Sequence, residues 1–368
     1  MTQEERVSTW QATWLMVTTV FPTAILFLPS IAAVAQQDAW MAPLIATGSG
    51  LYLSLLTYGF GKRFPQRGLL GNAEAFLGPY IGKAIGAGYV VFFFITASVI
   101  LREVGEFMTS VFMRETPLIV FLGVMGLAVS YMVRQGIEVI ARVNWFIPLF
   151  IIVILVTLLF TLPLMDLERL RPLGEAGPWG LARASLSASA FRGEMIILTL
   201  MIPNLRRPQE AGKAVLWANL ILGGILIING IAVVATFGPV LPDHLVFPTF
   251  SLFRVVTIGG FLNRLDIFLM TFWLAAVFVK FGIFQYACCL SIAQVFGLKD
   301  YRRLALVVGL LLIGVAQRLA TSVVGVAGFL EVFFGPFALP FEYLVPSVIL
   351  LAGLIRSLIA NPEGVRKG

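Results

Sequence analysis

Charge is scarce in this sequence. Only 12% of its 368 residues are Asp, Glu, Lys or Arg, about half the share of a soluble domain. A chain that is 59% hydrophobic cannot cover a globular surface with polar groups. Histidine occurs once, as His244 in a loop beside Asp243, and cysteine only as the neighbours Cys288 and Cys289 inside an apolar run. That poverty argues against a disulfide framework and a metal centre; the two thiols read as small buried hydrophobes. No phosphate loop and no nucleophile motif is present. No cofactor is therefore expected, nor is an enzyme or an ATP-driven pump.

What fills the chain instead is continuous apolar sequence, with a mean hydropathy of +0.95. Hydrocarbon cannot hydrogen-bond a peptide group, so only helices or a closed barrel cross it. Barrel strands alternate apolar and polar residues over about ten positions, whereas these runs are unbroken for about twenty, the length of a spanning helix. Ten spans are expected, near residues 10–35, 40–60, 84–112, 117–133, 143–164, 184–204, 211–236, 265–296, 303–320 and 337–357. The first apolar run is expected to be a span and not a cleavable leader: residues 1–8 are polar and no small-residue cleavage site follows. Between spans seven and eight, 250–258 reads as an interfacial helix. Between nine and ten, 321–336, which holds Glu331, reads as a re-entrant or interfacial piece.

With both termini in the cytoplasm, the inside segments carry 16 Lys and Arg and the outside segments 7, the bias that sets orientation in membranes. The formal charge of +7 is thus a topology signal, and nucleic acid is not expected as a partner.

Charges within a span cost roughly 2.5–3.5 kcal/mol each on insertion scales and mark polar interiors or pathways. In span six, Phe191-Arg192-Gly193-Glu194 places a glycine between two charges. On an unbroken helix they would point about 200° apart, one of them toward lipid. A break at Gly193 lets both face a cavity, although an interhelical ion pair that only locks packing is also compatible. In span one, Phe21-Pro22-Thr23-Ala24 holds a proline that interrupts the amide ladder, with Thr23 able to bond a freed carbonyl or a ligand. Spans one and six are five apart. Broken first helices in each half of a five-plus-five inverted repeat, with repeats near 10–164 and 184–357, would set a ligand between them. The third place is Arg102, Glu103 and Glu106 in span three with Lys280 in span eight. Arg102 and Glu106 share a helix face and can satisfy each other. Lys280 has no acid within a turn and must find Glu103, Glu194 or a freed carbonyl, standing where a coupling cation could.

The order of several short runs resembles the spore germination B-subunit family, the endospore germination permeases of the amino acid–polyamine–organocation transporter superfamily. The runs are Leu28-Pro29 with Gln37-Asp38-Ala39-Trp40, Arg63-Phe64-Pro65, Leu101-Arg102 with Glu106-Phe107, Gly136-Ile137-Glu138, Phe191 to Glu194 with Pro203, and Gln294 to Leu298 before Asp300-Tyr301-Arg302. The resemblance runs through almost the whole chain. It implies an all-α membrane protein that binds a small germinant, typically an amino acid, between spans one and six. It also implies work with an A subunit and a C-subunit lipoprotein in the spore inner membrane. A proton- or cation-coupled amino acid transporter of the same fold is the alternative. Where the wider superfamily often carries a glycine-rich turn in span one, this chain offers Thr23 and the carbonyl freed by Pro22, and Arg192 could meet a carboxylate directly.

Overall fold

A computed structural model describes residues 6–256, 265–320 and 322–360. Arg264, Arg366, Lys367, Thr321 and the end of the 250–258 segment lie outside them. The described residues form ten long helical runs. Span one is Thr9–Ile31, span two Met41–Arg63, span three Pro79–Phe107, span four Leu118–Gln135 and span five Ile137–Leu164. Span six is Gly177–Asn204, span seven Ala211–Phe237, span eight Leu265–Val295, span nine Ala305–Leu319 and span ten Val323–Ile359. Eight runs are long and apolar enough to cross a membrane. Span two falls short because Gly48, Ser49, Gly50 and Ser54 dilute it before it ends on Lys62 and Arg63, and span nine because it has 15 residues. Large apolar side chains such as Leu55 and Val124 stand more than 60% exposed on the outer surface, which only lipid tolerates in such number.

The packing repeats itself across the two halves. Span one lies on seven and span two on six; span three lies on nine and span four on eight. Exchanging each span for the one five places away maps these pairs onto each other, as an internal repeat requires. Both ends of the one–six pair are tied, and tied antiparallel. At one end the Val7 amide donates to the Asn204 carbonyl, and the Arg206 amide to that of Val7, each at 2.9 Å. Ser8 forms a capping box with Gln11 there. At the other end Asp38, after span one, accepts from the Gly174 and Ala176 amides at 2.9 and 3.0 Å. It thereby satisfies free amides where span six begins, at the positive end of its dipole.

Three expectations need correction. Span one does not unwind at Pro22: it stays α-helical through Pro22 and Pro29. What is interrupted is the hydrogen-bond ladder, because the missing proline amides leave the carbonyls of Thr18 and Ile25 without their usual donors. Residues 321–336 are not a separate re-entrant piece, since the described part joins span ten in one helical run. Two π turns, Phe329–Phe333 and Pro340–Leu344, carry the helix past Pro336 and Pro340 by shifting carbonyls to a later donor. The helix between spans seven and eight is Pro248–Val255, starting two residues earlier than expected, and one side of it is packed into the bundle while Arg254 and Val255 stay exposed. Thr249, Phe250, Leu252 and Phe253 are buried, and it packs on spans one and eight.

Candidate functional site

The interruption expected in span six is present. The α-helix runs to Gly193, and Glu194–Ile197 follows as a 3₁₀ turn. Span six is enclosed on nearly all sides, so both flanking charges are buried: Arg192 is 1% exposed and Glu194 2%. They face different neighbours. Glu194 meets span eight, where Lys280 Nζ donates to its Oε2 at 2.9 Å and its Oε1 at 3.1 Å. Arg192 turns to span seven, where Nη1 reaches the Asn219 carbonyl at 3.4 Å and Nη2 has no partner among the described residues.

Span one joins this centre through Thr23. Its hydroxyl accepts from Lys280 Nζ at 2.8 Å and donates to Glu103 Oε2 of span three, also at 2.8 Å. Glu103, Thr23, Lys280 and Glu194 thus form one buried chain across spans three, one, eight and six. Phe21 and Phe191 pack on Phe150 and Phe334, with ring centroids 5.5 Å apart in each case. Ala24 lies toward a small gap shared with Pro29 and Asn229. Phe21, Pro22, Thr23, Ala24, Phe191, Arg192, Gly193 and Glu194 are all buried, so the conformation is closed.

The sequence grouped Arg102 and Glu106 with Lys280; the structure separates them. Arg102 pairs with Glu106 and donates to the carbonyls of Ala316 and Gln317, both at 2.9 Å. Those carbonyls lie in the last turn of span nine, where no helical amide follows to satisfy them. Arg102 is a helix cap between spans, and Glu106 orients it. In span eight, Gln285 donates to the Ser130 hydroxyl and the Ala305 carbonyl. Tyr286 packs on Tyr301, and the indole of Trp273 donates to the Pro22 carbonyl at 2.9 Å. These are packing ties rather than pocket lining. His244 stands exposed in its turn.

One member of the centre escaped the sequence reading. Glu342 of span ten is fully buried, and neither carboxylate oxygen finds a donor among the described residues. It lies on the backbone of the span-six interruption: a Cβ placed on Gly193 would come within 2.0 Å of its Oε2. Gly193 is required for that close approach. The signal was available, since Glu342 is a carboxylate inside the tenth apolar run.

A multi-pass α-helical membrane protein whose first and sixth spans enclose buried charges has the fold of the cation-coupled symporters. The structure of MhsT in complex with L-phenylalanine matches with a TM-score of 0.69 at 15% identity, over 96% of this chain and 99% of that one. A Na+-coupled sialic acid symporter matches at 0.61 and 11% identity, over 93% and 80%. The nucleobase-cation-symport transporter Mhp1 matches at 0.55 and 17%, over 99% and 93%. The chain belongs to the spore germination protein family, whose signature covers residues 6–321. It is 24% identical to spore germination protein KB of Bacillus subtilis over 325 residues, 87% of each chain. To spore germination protein B2 of the same organism it is 25% identical over 313 residues, 82% of this chain and 83% of that one.

Proposed function

We propose that the chain is the germinant-sensing membrane subunit of a spore germination receptor, and that it binds a small molecule, an amino acid by class, between spans one and six. The observation that carries this reading is the uncommitted guanidinium nitrogen of Arg192, buried at the Gly193 turn beside the Glu194–Lys280–Thr23–Glu103 chain. A buried donor without a partner costs about 1–3 kcal/mol, and a ligand carboxylate at Arg192 would relieve that cost. Phe21, Pro22 and Ala24 of span one and Phe191 and Gly193 of span six would line the site. The proposed setting is the spore inner membrane, with both termini cytoplasmic and with an A subunit and a C-subunit lipoprotein as partners. The names of its relatives support a role in spore germination.

The test is thermal stabilisation of the purified chain, alone and with its partner subunits, by a panel of amino acids. At least one is expected to stabilise the wild type. Arg192→Ala and Glu194→Gln should each weaken it by about 10–100-fold, the value of one charge-assisted hydrogen bond. Wild-type affinity in both variants overturns the site. A second reading, coupled amino acid transport, is favoured by the symporter fold itself. Concentrative uptake into vesicles, driven by a proton or cation gradient, would establish it.

A further inference from the structure

Glu342 sits where the second π turn of span ten, Pro340–Leu344, adds a residue to the helical repeat and brings its carboxylate against Gly193. Irregular turns of this kind recur where function requires a side chain out of register. The charged and titratable groups on the elements around it are already engaged. From span six, Glu194 holds Lys280, and Arg192 turns to Asn219. From span eight, Lys280 is shared between Glu194 and Thr23. From span three, Glu103 is bonded to Thr23, and the Tyr89 hydroxyl donates to the Phe341 carbonyl at 2.5 Å. On span ten itself, the single hydroxyl hydrogen of Tyr343 is taken up by the Ser189 carbonyl at 2.8 Å, with the Ser49 hydroxyl 3.1 Å away. Lys280 bonds Glu194 directly and reaches Glu103 through Thr23, so three buried carboxyl groups share one ammonium and Glu342 is the one left without a hydrogen-bond donor.

An ionised carboxylate fully out of water, with no donor and no counter-ion, costs several kcal/mol, and such a group relieves the cost by taking a proton. We infer that Glu342 is a proton-binding site: in the closed form it is a carboxylic acid resting on the Gly193 turn, and opening of span six releases its proton. When Gly193 moves away, water reaches the carboxyl. The O–H bond breaks, the proton passes to water, and the carboxylate left behind opposes re-closure. Acid then holds the centre shut, and alkali favours the open form. The protonation itself stands apart from any ligand; its link to opening by an amino acid rests on the function proposed above.

The deciding measurement is the infrared spectrum of the full chain in lipid at neutral pH. The wild type should show the C=O stretch of a protonated carboxyl, shifted in heavy water. Glu342→Gln should remove one carboxyl's worth of that intensity, and Glu342→Asp should keep it. An undiminished band in Glu342→Gln overturns the proposal. Melting against pH gives a second readout. A native state holding one more proton than the unfolded chain loses stability as pH rises, by up to about tenfold in the folding equilibrium per pH unit. The wild type should show this as pH rises above the range where an exposed glutamate titrates, and Glu342→Gln should show a shallower slope; equal slopes overturn the proposal. With a binding amino acid, a pH dye should report proton release from the wild type and none from Glu342→Gln. Ligand binding to the wild type without release removes the link to opening. If no amino acid binds, the ligand reading fails, and the infrared result still decides the proton.

Discussion

Lys280 Nζ stands 2.9 Å from Glu194 Oε2 and 2.8 Å from Thr23 Oγ1. One ammonium therefore joins span eight to spans one and six, between which we propose the ligand binds. Removing one partner of such a pair leaves a buried charge without compensation, which costs about 3–5 kcal/mol. Lys280→Met should lower stability in detergent by that amount. The double variant Lys280→Met with Glu194→Gln should recover part of it, because Glu194 no longer carries an uncompensated charge while Glu103 still lacks its cation. Thermal and denaturant unfolding of the four proteins in the cycle checks this. A double variant as unstable as the single one would show that packing, not charge, sets the loss.

Thr23 accepts from Lys280 and donates to Glu103, so a methyl in place of its hydroxyl cuts the chain in two places at nearly constant volume. Thr23→Val should cost about 1.5–3 kcal/mol, as a hydrogen bond to a charged group does. Thr23→Ser should lie close to wild type. Unfolding midpoints of the two variants side by side distinguish the hydroxyl from the shape.

Gly193 has a Glu342 oxygen where a Cβ would be. Gly193→Ala should therefore destabilise the closed form by about 1–3 kcal/mol, the usual cost of overpacking. Glu342→Ala alone should leave a cavity, and the pair Gly193→Ala with Glu342→Ala should be more stable than the sum of its parts. A strictly additive pair would mean that the two residues do not touch.

Arg102 caps span nine and stands away from the Lys280 centre. Arg102→Met should lower the melting temperature, since the carbonyls of Ala316 and Gln317 and the carboxylate of Glu106 lose their donor. It should leave the affinity for any amino acid that stabilises the wild type unchanged. A drop in affinity equal to that of Arg192→Ala would place Arg102 in the site after all.

The ten spans were legible because a membrane helix declares itself by composition: twenty apolar residues need no partner to be recognised. The break at Gly193 was legible for a related reason. Two charges flanking a glycine within such a run leave few arrangements that keep both from lipid. What could not be read was register between spans. Lys280 had two candidate acids and a freed carbonyl in the sequence, and the fold chose Glu194 directly and Glu103 through Thr23. Arg102 was equally able to join that centre, and only the position of the end of span nine drew it elsewhere. Span ten was expected only from residue 337, after Pro336, whereas it runs from Val323. The two π turns that carry the helix past Pro336 and Pro340 also set the direction in which Glu342 points, and no local pattern encodes that.

Pro29 has a consequence that reaches beyond its own helix. The carbonyl of Ile25, deprived of the amide that Pro29 lacks, accepts the Thr249 hydroxyl at 2.6 Å, and the same hydroxyl accepts from the Asn229 side chain at 2.9 Å. A single oxygen atom thereby latches the far half of span one to span seven and to the short helix Pro248–Val255. Any tilt of span one about its prolines must drag that helix or tear the latch. A missing backbone hydrogen makes Pro248–Val255 the pointer by which a shift deep in the bundle would be announced at its rim.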